Sequence, residues 1–217
     1  MKYRAVLFDL DGTVLSTLQD LYTSTNAALA MHRLPPRTLD EVRRFLGNGM
    51  EYLISHAVPS GTDAEVTAQV LSDFKQHYAA HCEVETKPYD GIPETLAALR
   101  RRGIRTALVS NKGDFAVQKL ATHYFADCFD FVLGETAEIR RKPAPDMVHK
   151  ALEVLNIPLA DAVFIGDSEV DVQTAKNAGV NGIFVTWGFR GSKDLLDAGA
   201  THILDTVDAL TAALLQE

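Results

Sequence analysis

Asp9 and Asp11 stand two residues apart and run directly into Gly12 and Thr13, and a second acidic pair, Asp167 and Asp171, recurs near the other end of the chain. Between the pairs fall Ser110-Asn111 and Lys142-Pro143. The groups Asp9-Leu10-Asp11, Ser110-Asn111 and Gly166-Asp167-Ser168 each follow an apolar run, while Lys142 precedes a proline-started helical segment. Ligands of open parallel sheets bind outside the carboxyl ends of the strands. Acids, a hydroxyl and a lysine therefore reach one rim from several strands.

The formal charges define what this rim needs. Asp9, Asp11, Asp167 and Asp171 bring four negative charges if all ionise, against one positive charge from Lys142. Such a cluster repels itself and any anion unless one carboxyl keeps its proton and a divalent cation sits among the rest. Oxygen donors of this kind suit Mg2+, so the four aspartates form the candidate metal set. A carboxylate in line with phosphorus acts as a nucleophile, the role expected of Asp9. Asp11, in the field of the other acids, is expected to stay protonated, donate to a leaving oxygen and later take a proton from water. Lys142 and the Ser110 hydroxyl would spread the charge of a transferring phosphoryl group. The catalytic candidates are thus Asp9, Asp11, Ser110 and Lys142, and the substrate-binding candidates Thr13, Ser110, Asn111 and Lys142.

Each residue also has a plainer role. Asp-x-Asp-Gly opens calcium-binding loops, but here Thr13 replaces the third ligand, the closing glutamate is absent and an apolar strand precedes. Ser168-Glu169-Val170-Asp171 is a helix-capping pattern, which is compatible with Asp171 supporting a metal. Ser110 fits a turn or cap, and Lys142 beside Arg140 and Arg141 fits a solvated basic turn; only Lys142 directly precedes the proline. His32, His56, His77 and His123 show no metal-ligand spacing. Trp187 reads as packing at a strand end. Gly47-Asn48-Gly49 reads as an interhelix turn that, with Arg43 and Arg44, is also a candidate substrate-selecting element.

The elements that must position these groups follow from hydrophobic periodicity. Strands are expected near 5–8, 106–109, 129–133, 162–165, 182–186 and 202–204, with helices near 92–102, 115–124, 145–155, 170–178 and 194–198. That alternation defines an α/β protein whose parallel sheet carries helices on both faces. The stretch 16–82 breaks it: Leu18, Leu21, Tyr22, Thr25, Ala28 and Leu29 share one helical face, as do Val66, Val70, Phe74 and Tyr78. The expected division is a core of 1–15 and 83–217 with an all-helical insertion of 16–82 after the first strand.

The bulk numbers exclude several classes. A chain of 217 residues with 47% hydrophobic content buries a substantial core, and a net charge of -8 without a basic run speaks against nucleic acid. Cys82 and Cys128 lack a paired spacing and read as reduced, inert thiols. No run has the length of a membrane span, and the opening residues are too brief for a signal peptide, so a cytoplasmic monomer or homodimer is the expectation.

Phe8-Asp9-Leu10-Asp11-Gly12-Thr13, Val109-Ser110-Asn111, Lys142-Pro143 and Gly166-Asp167-Ser168 with Asp171 resemble, in order, the four motifs of the haloacid dehalogenase superfamily. The resemblance implies a Rossmann-like core with a helical cap, and an aspartyl-phosphate intermediate on Asp9. It also implies Mg2+ bound by Asp9, the Asp11 main-chain carbonyl and Asp167, with Asp171 supporting the metal through water and Lys142 steadying nucleophile and phosphate. The dehalogenases lack an acid at the position of Asp11, so its presence favours phosphoryl transfer. Val185-Thr186-Trp187-Gly188-Phe189 and the run 171–179 are similar to phosphoglycolate phosphatases and their pyrophosphatase relatives, whereas Ser16 stands where many relatives carry an acid. A small phosphorylated metabolite is the expected substrate. Pyrophosphate hydrolysis, a β-phosphoglucomutase-like isomerase using His32 or Lys75, and a noncatalytic binding module stay open as alternatives.

Overall fold

The computed structural model describes residues 2–216. The chain begins with β1 (Ala5–Phe8) and β2 (Leu15–Ser16), then runs through α1 (Leu18–Met31), α2 (Leu39–Phe45), α3 (Gly49–Ala57) and α4 (Ala64–His81). It continues with β3 (Lys87–Pro88), α5 (Ile92–Arg101), β4 (Arg105–Gly113), α6 (Asp114–Phe125) and β5 (Phe131–Glu135). The remainder is α7 (Asp146–Leu155), β6 (Ala162–Gly166), α8 (Glu169–Ala178), β7 (Asn181–Val185), α9 (Ser192–Asp197), β8 (Ile203–Leu204) and α10 (Val207–Leu215).

Six strands form a sheet of order β5-β4-β1-β6-β7-β8, and its paired neighbours are parallel. β1 is flanked by β4 and β6, which explains its unbroken apolar run Ala5-Val6-Leu7-Phe8: a central parallel strand is covered on both faces. Successive side chains alternate between faces. Ala5, Leu7, Ala107, Val109, Ala162 and Phe164 join one core with Met147, Val148 and Ala151 of α7 and Val172 and Ala175 of α8. Their alternates Val6, Phe8, Leu108, Val163 and Ile165 are also fully buried. α5 and α6 pack against β4, and α10 packs against α5 and β8. The order of connection reverses at β1, from β4 and β5 on one side to β6, β7 and β8 on the other, so the carboxyl ends of β1, β4 and β6 border a topological switch point. This is the α/β architecture expected from the alternating pattern; α10, capped by Thr206 accepting from the Ala209 N–H at 3.2 Å, is an addition to it.

The chain divides into two compact units, one of residues 1–16 and 88–217 and one of residues 17–87. The second is helical up to Lys87, where β3 begins. α1 packs on α4 and α2, with Leu21, Ala28, Leu29, Val42, Leu53, Ile54, Val70, Phe74 and Tyr78 buried. α2 opens with a capping box in which Thr38 and Glu41 bond reciprocally. The helical unit extends beyond α4 to Lys87 because Asp20, in the first turn of α1, holds the returning chain. Its carboxylate accepts from the Glu85 N–H at 3.0 Å, the Thr86 N–H at 2.9 Å and the Thr86 hydroxyl at 2.8 Å. Such a carboxylate is a strong acceptor for otherwise unsatisfied backbone donors.

Candidate active site

Asp9 continues β1 by one residue, its N–H donating to Ile165 O at 2.9 Å. The chain then turns sharply: the N–H groups of Val14 and Leu15 donate to Leu10 O at 3.1 and 3.0 Å, and that of Gly12 to Leu15 O at 2.9 Å. Gly12 adopts φ 84°, and a β-carbon there would collide with the Asp167 carboxylate. A glycine is required both for the left-handed turn and for the approach of β6's terminal acid.

Lys142 lies at the centre of the site. Its side chain is 3% exposed, and its ammonium is 2.7 Å from Asp9 Oδ1 and 2.7 Å from Asp171 Oδ1. Asn111, at the end of β4, fixes the lysine's backbone: its Nδ2 donates to Lys142 O and its Oδ1 accepts the Lys142 N–H, both at 2.8 Å. Burial alone would push the lysine's pKa down, but Asp171 and Asp9 outweigh it and raise the pKa, so the ammonium stays charged. Asp171 Oδ2 is occupied as well, accepting from the Ser168 hydroxyl at 2.7 Å and from the N–H groups of Ser168 and Asp167 at 3.1 and 3.2 Å.

Asp167 is held by a structure that its flanking sequence does not announce. Its Oδ1 accepts from the Thr13 hydroxyl at 3.2 Å and its Oδ2 from the Phe189 N–H at 2.6 Å. A β-carbon on Gly188 would strike the same carboxylate, so the segment after β7 closes directly over it. The Trp187 indole N–H donates to Thr13 O at 3.1 Å, which ties that segment to the turn after β1.

Asp11 has a partner that the sequence analysis did not name. The sequence places it in a field of acids, yet the Lys112 ammonium donates to both its oxygens, at 2.7 and 2.9 Å. Lys112 is one of the residues missed from the sequence. Lys112 stands two residues beyond Ser110, where the pairing of β4 with β5 is irregular between Val109 and Gly113, so alternation along the strand did not announce its face. Ser110 is 2% exposed and its Oγ accepts the Lys112 N–H at 3.2 Å. The charge count is corrected accordingly: four aspartates against Lys142 and Lys112 leave two negative charges, where one lysine would leave three.

The structure brings Asp9, Asp167, Asp171 and Lys142 together and joins Asp11 to Lys112. Thr13 and Asn111, expected to touch substrate, direct the polar groups just described at Asp167 and the Lys142 backbone. Arg140 and Arg141 pair with Asp146 and Glu135 at 2.8 and 3.0 Å. In the helical unit Arg43 pairs with Asp40 at 3.0 Å, and His32 bonds Asp73 at 2.7 Å.

One oxygen each from Asp9, Asp167 and Asp171 fall within 4.8 Å of one another, a buried set with the chemistry to hold a hard cation. Burial, outweighing the attraction of Lys142 and reinforced by Asp171, raises Asp9 from 3.8 to about 7. Burial likewise lifts Asp167 well above the carboxylate range, with Asp171 and Asp9 adding to it. Two acids made reluctant to ionise by burial and by neighbouring carboxylates are an arrangement completed by positive charge.

The class of the protein follows from this geometry together with its likeness to known proteins. The model of the haloacid dehalogenase-like hydrolases matches residues 6–185, and the chain belongs to that family. It is a phosphatase among them, as its relatives indicate. It is 31% identical to a phosphoglycolate phosphatase of Thiobacillus denitrificans, across 97% of this chain and 96% of the relative. It is also 31% identical to the N-acetylmuramic acid 6-phosphate phosphatase of Pseudomonas aeruginosa, across 99% of this chain and 97% of that one. A solved structure from Lactobacillus delbrueckii subsp. bulgaricus is 38% identical, covers 100% of both chains and superposes with a TM-score of 0.93. Among the described residues no helix is long and apolar enough to cross a membrane.

Proposed function

We propose that the chain hydrolyses a small phosphate monoester with Mg2+ through a phosphoryl group carried on Asp9, and that 2-phosphoglycolate is its substrate. The observation that carries this reading is the buried Lys142 ammonium shared between Asp9 and Asp171, next to Asp167. A lysine so placed fixes the rotation of the Asp9 carboxylate and lends positive charge to an incoming phosphoryl group. The donor set fits the metal. Asp9 and Asp167 would hold it with the Asp11 main-chain carbonyl, while Asp171, whose oxygens engage Lys142 and Ser168, orients the lysine and the helix start behind them. When bound, the ion supplies charge neutralisation at the phosphoryl oxygens.

The residues divide two half-reactions. In the first, an Asp9 oxygen forms a bond to phosphorus, the bond from phosphorus to the leaving oxygen breaks, and Asp11 gives that oxygen a proton. In the second, water forms the new bond to phosphorus, Asp11 takes a proton from it, and the Asp9–phosphorus bond breaks to free inorganic phosphate. Ser110 donates to a phosphoryl oxygen, Thr13 steadies Asp167, and Asn111 steadies Lys142. We assign residues 17–87 the role of a cap that excludes water and bulky polymers.

A second substrate reading is supported by the N-acetylmuramic acid 6-phosphate phosphatase relative. Both compounds carry a carboxylate besides the phosphate ester, and they differ greatly in size. Relative kcat/KM for the two, with pyrophosphate and a hexose phosphate alongside, decides the matter. Phosphate release from 2-phosphoglycolate at the highest kcat/KM is expected. Flat rates on every small ester reject the hydrolase reading, and isomerised hexose phosphate in place of free phosphate rejects it in favour of a mutase.

A further inference from the structure

We propose that Lys112 is the positioning residue that holds Asp11 in the place from which it serves both half-reactions; this rests on the reading of Asp11 as the acid and base. β1 and β4 are parallel neighbours with Phe8 opposite Leu108, so the turn that follows β1 and the end of β4 share one rim, and there the Lys112 ammonium meets Asp11. The Lys112 side chain is 2% exposed and spans both carboxylate oxygens at 2.7 and 2.9 Å, while the Asp11 side chain keeps 18% of its surface open. One partner is thus anchored in the protein and the other is left accessible to a substrate.

The chemistry requires such an anchor. Asp9 is held by Lys142, Asp167 by Thr13 and Phe189, and Asp171 by Ser168, but Asp11 sits on the turn that opens with Leu10 and passes through the left-handed Gly12. Its carboxylate must first meet a leaving oxygen and then an attacking water, both at the phosphorus atom that Asp9 engages. A side chain rotating freely about two torsions reaches that geometry only part of the time, and misplacement of about 1 Å costs on the order of a hundredfold in rate. The Lys112 ammonium limits that freedom in both steps, holding one oxygen while the other carries the proton to the leaving group and both oxygens once Asp11 is ionised. The lysine is itself held, its main-chain N–H donating to Ser110 Oγ at 3.2 Å and its side chain buried to 2% exposure. A buried lysine paired in this way need only contribute to stability, and the experiment must separate that role from positioning.

The test compares wild type with Lys112→Met and Lys112→Gln, each also in an Asp11→Asn background, on an alkyl phosphate and on p-nitrophenyl phosphate with saturating Mg2+. kcat/KM reports steps up to departure of the leaving group, and nitrophenolate departs without a proton. Lys112→Met is expected to lower kcat/KM on the alkyl ester about 100-fold and on the nitrophenyl ester less than about 5-fold, as for loss of general acid catalysis. The decay of the acid-quenched phosphoenzyme is expected to slow by a factor of ten or more, because the same carboxylate then acts as base. In the Asp11→Asn background Lys112→Met is expected to add nothing, as for two residues acting through one function. Equal losses on both esters, unchanged phosphoenzyme decay, or additive losses in the double variant overturn the proposal. Should Lys112→Met fail to fold, Lys112→Gln, which keeps a donor without the charge, is held to the same three outcomes. Absence of any phosphoenzyme in active wild type instead defeats the underlying Asp9 mechanism, a result distinct from failure of the Lys112 assignment.

Discussion

Replacing Asp9 by asparagine should abolish turnover and, in the metal-free protein, increase stability. Asp9 has an unfolded-state pKa of 3.8 and is lifted to about 7 in the fold, burial outweighing its bond to Lys142. An acid whose folded pKa is raised contributes stability that is fully present below the unfolded value and lost as pH rises through the folded one. Asparagine has the shape of the protonated acid, can still accept from Lys142 and does not titrate. Its advantage over Asp9 should therefore be about 2 kcal/mol near about pH 5 and grow to roughly 4 kcal/mol near about pH 8. Urea unfolding of chelated protein, followed by the fluorescence of Trp187, reports the unit that contains the site, since Trp187 is the single tryptophan and lies within residues 88–217. Added Mg2+ should then stabilise wild type and narrow the gap, because the ion binds the folded state of the charged site. An asparagine variant less stable than wild type throughout, or a gap that does not change with pH, would refute the electrostatic account of Asp9.

Further outcomes follow from the same contacts. Mg2+ affinity, measured by calorimetry in buffers of different ionisation enthalpy, should fall at least about tenfold per pH unit below about pH 7 with proton release on binding, as Asp9 and the likewise raised Asp167 must ionise to bind. Lys142→Met should lower kcat by on the order of 10²–10³ while the protein remains folded, as for removal of a preorganised electrostatic group; steady-state kinetics beside circular dichroism checks this. Asn111→Ala removes two bonds of 2.8 Å to the Lys142 backbone and should cost about 2 kcal/mol in unfolding free energy, with a fall in kcat. Asp20→Ala should speed hydrogen exchange at the Glu85 and Thr86 amides by more than about tenfold without altering exchange around Asp9.

The parallel sheet was legible because β1 and β6 are buried on both faces and so run continuously apolar, and because the acids that follow them stand where such strands end. Lys142 was legible through its place before a proline-started segment. Partnerships were less accessible. Asp11 and Lys112 are 101 residues apart and meet where the turn after β1 lies beside the end of β4, and the Phe189 N–H reaches Asp167 from a loop 22 residues away. Thr13 and Asn111 were recognised by position, but not their partners within the protein, since a hydroxyl or amide at a strand end serves a neighbouring side chain or backbone as well as a ligand. Asp20 was read only as part of a helical segment, because its partners Glu85 and Thr86 follow the last helix of the same unit. The helix Val207–Leu215 escaped notice because Leu210 and Leu214 are its buried positions within a segment apolar on several sides.

The most direct test is to locate the phosphoryl group during turnover. Wild-type protein is mixed with a phosphate ester and Mg2+, quenched in acid, digested and read by mass spectrometry. A hydroxylamine-labile phosphoryl adduct on Asp9, absent from the Asp9→Asn variant, is predicted. Turnover with no adduct on the protein, or with one on any other side chain, would contradict covalent catalysis by Asp9.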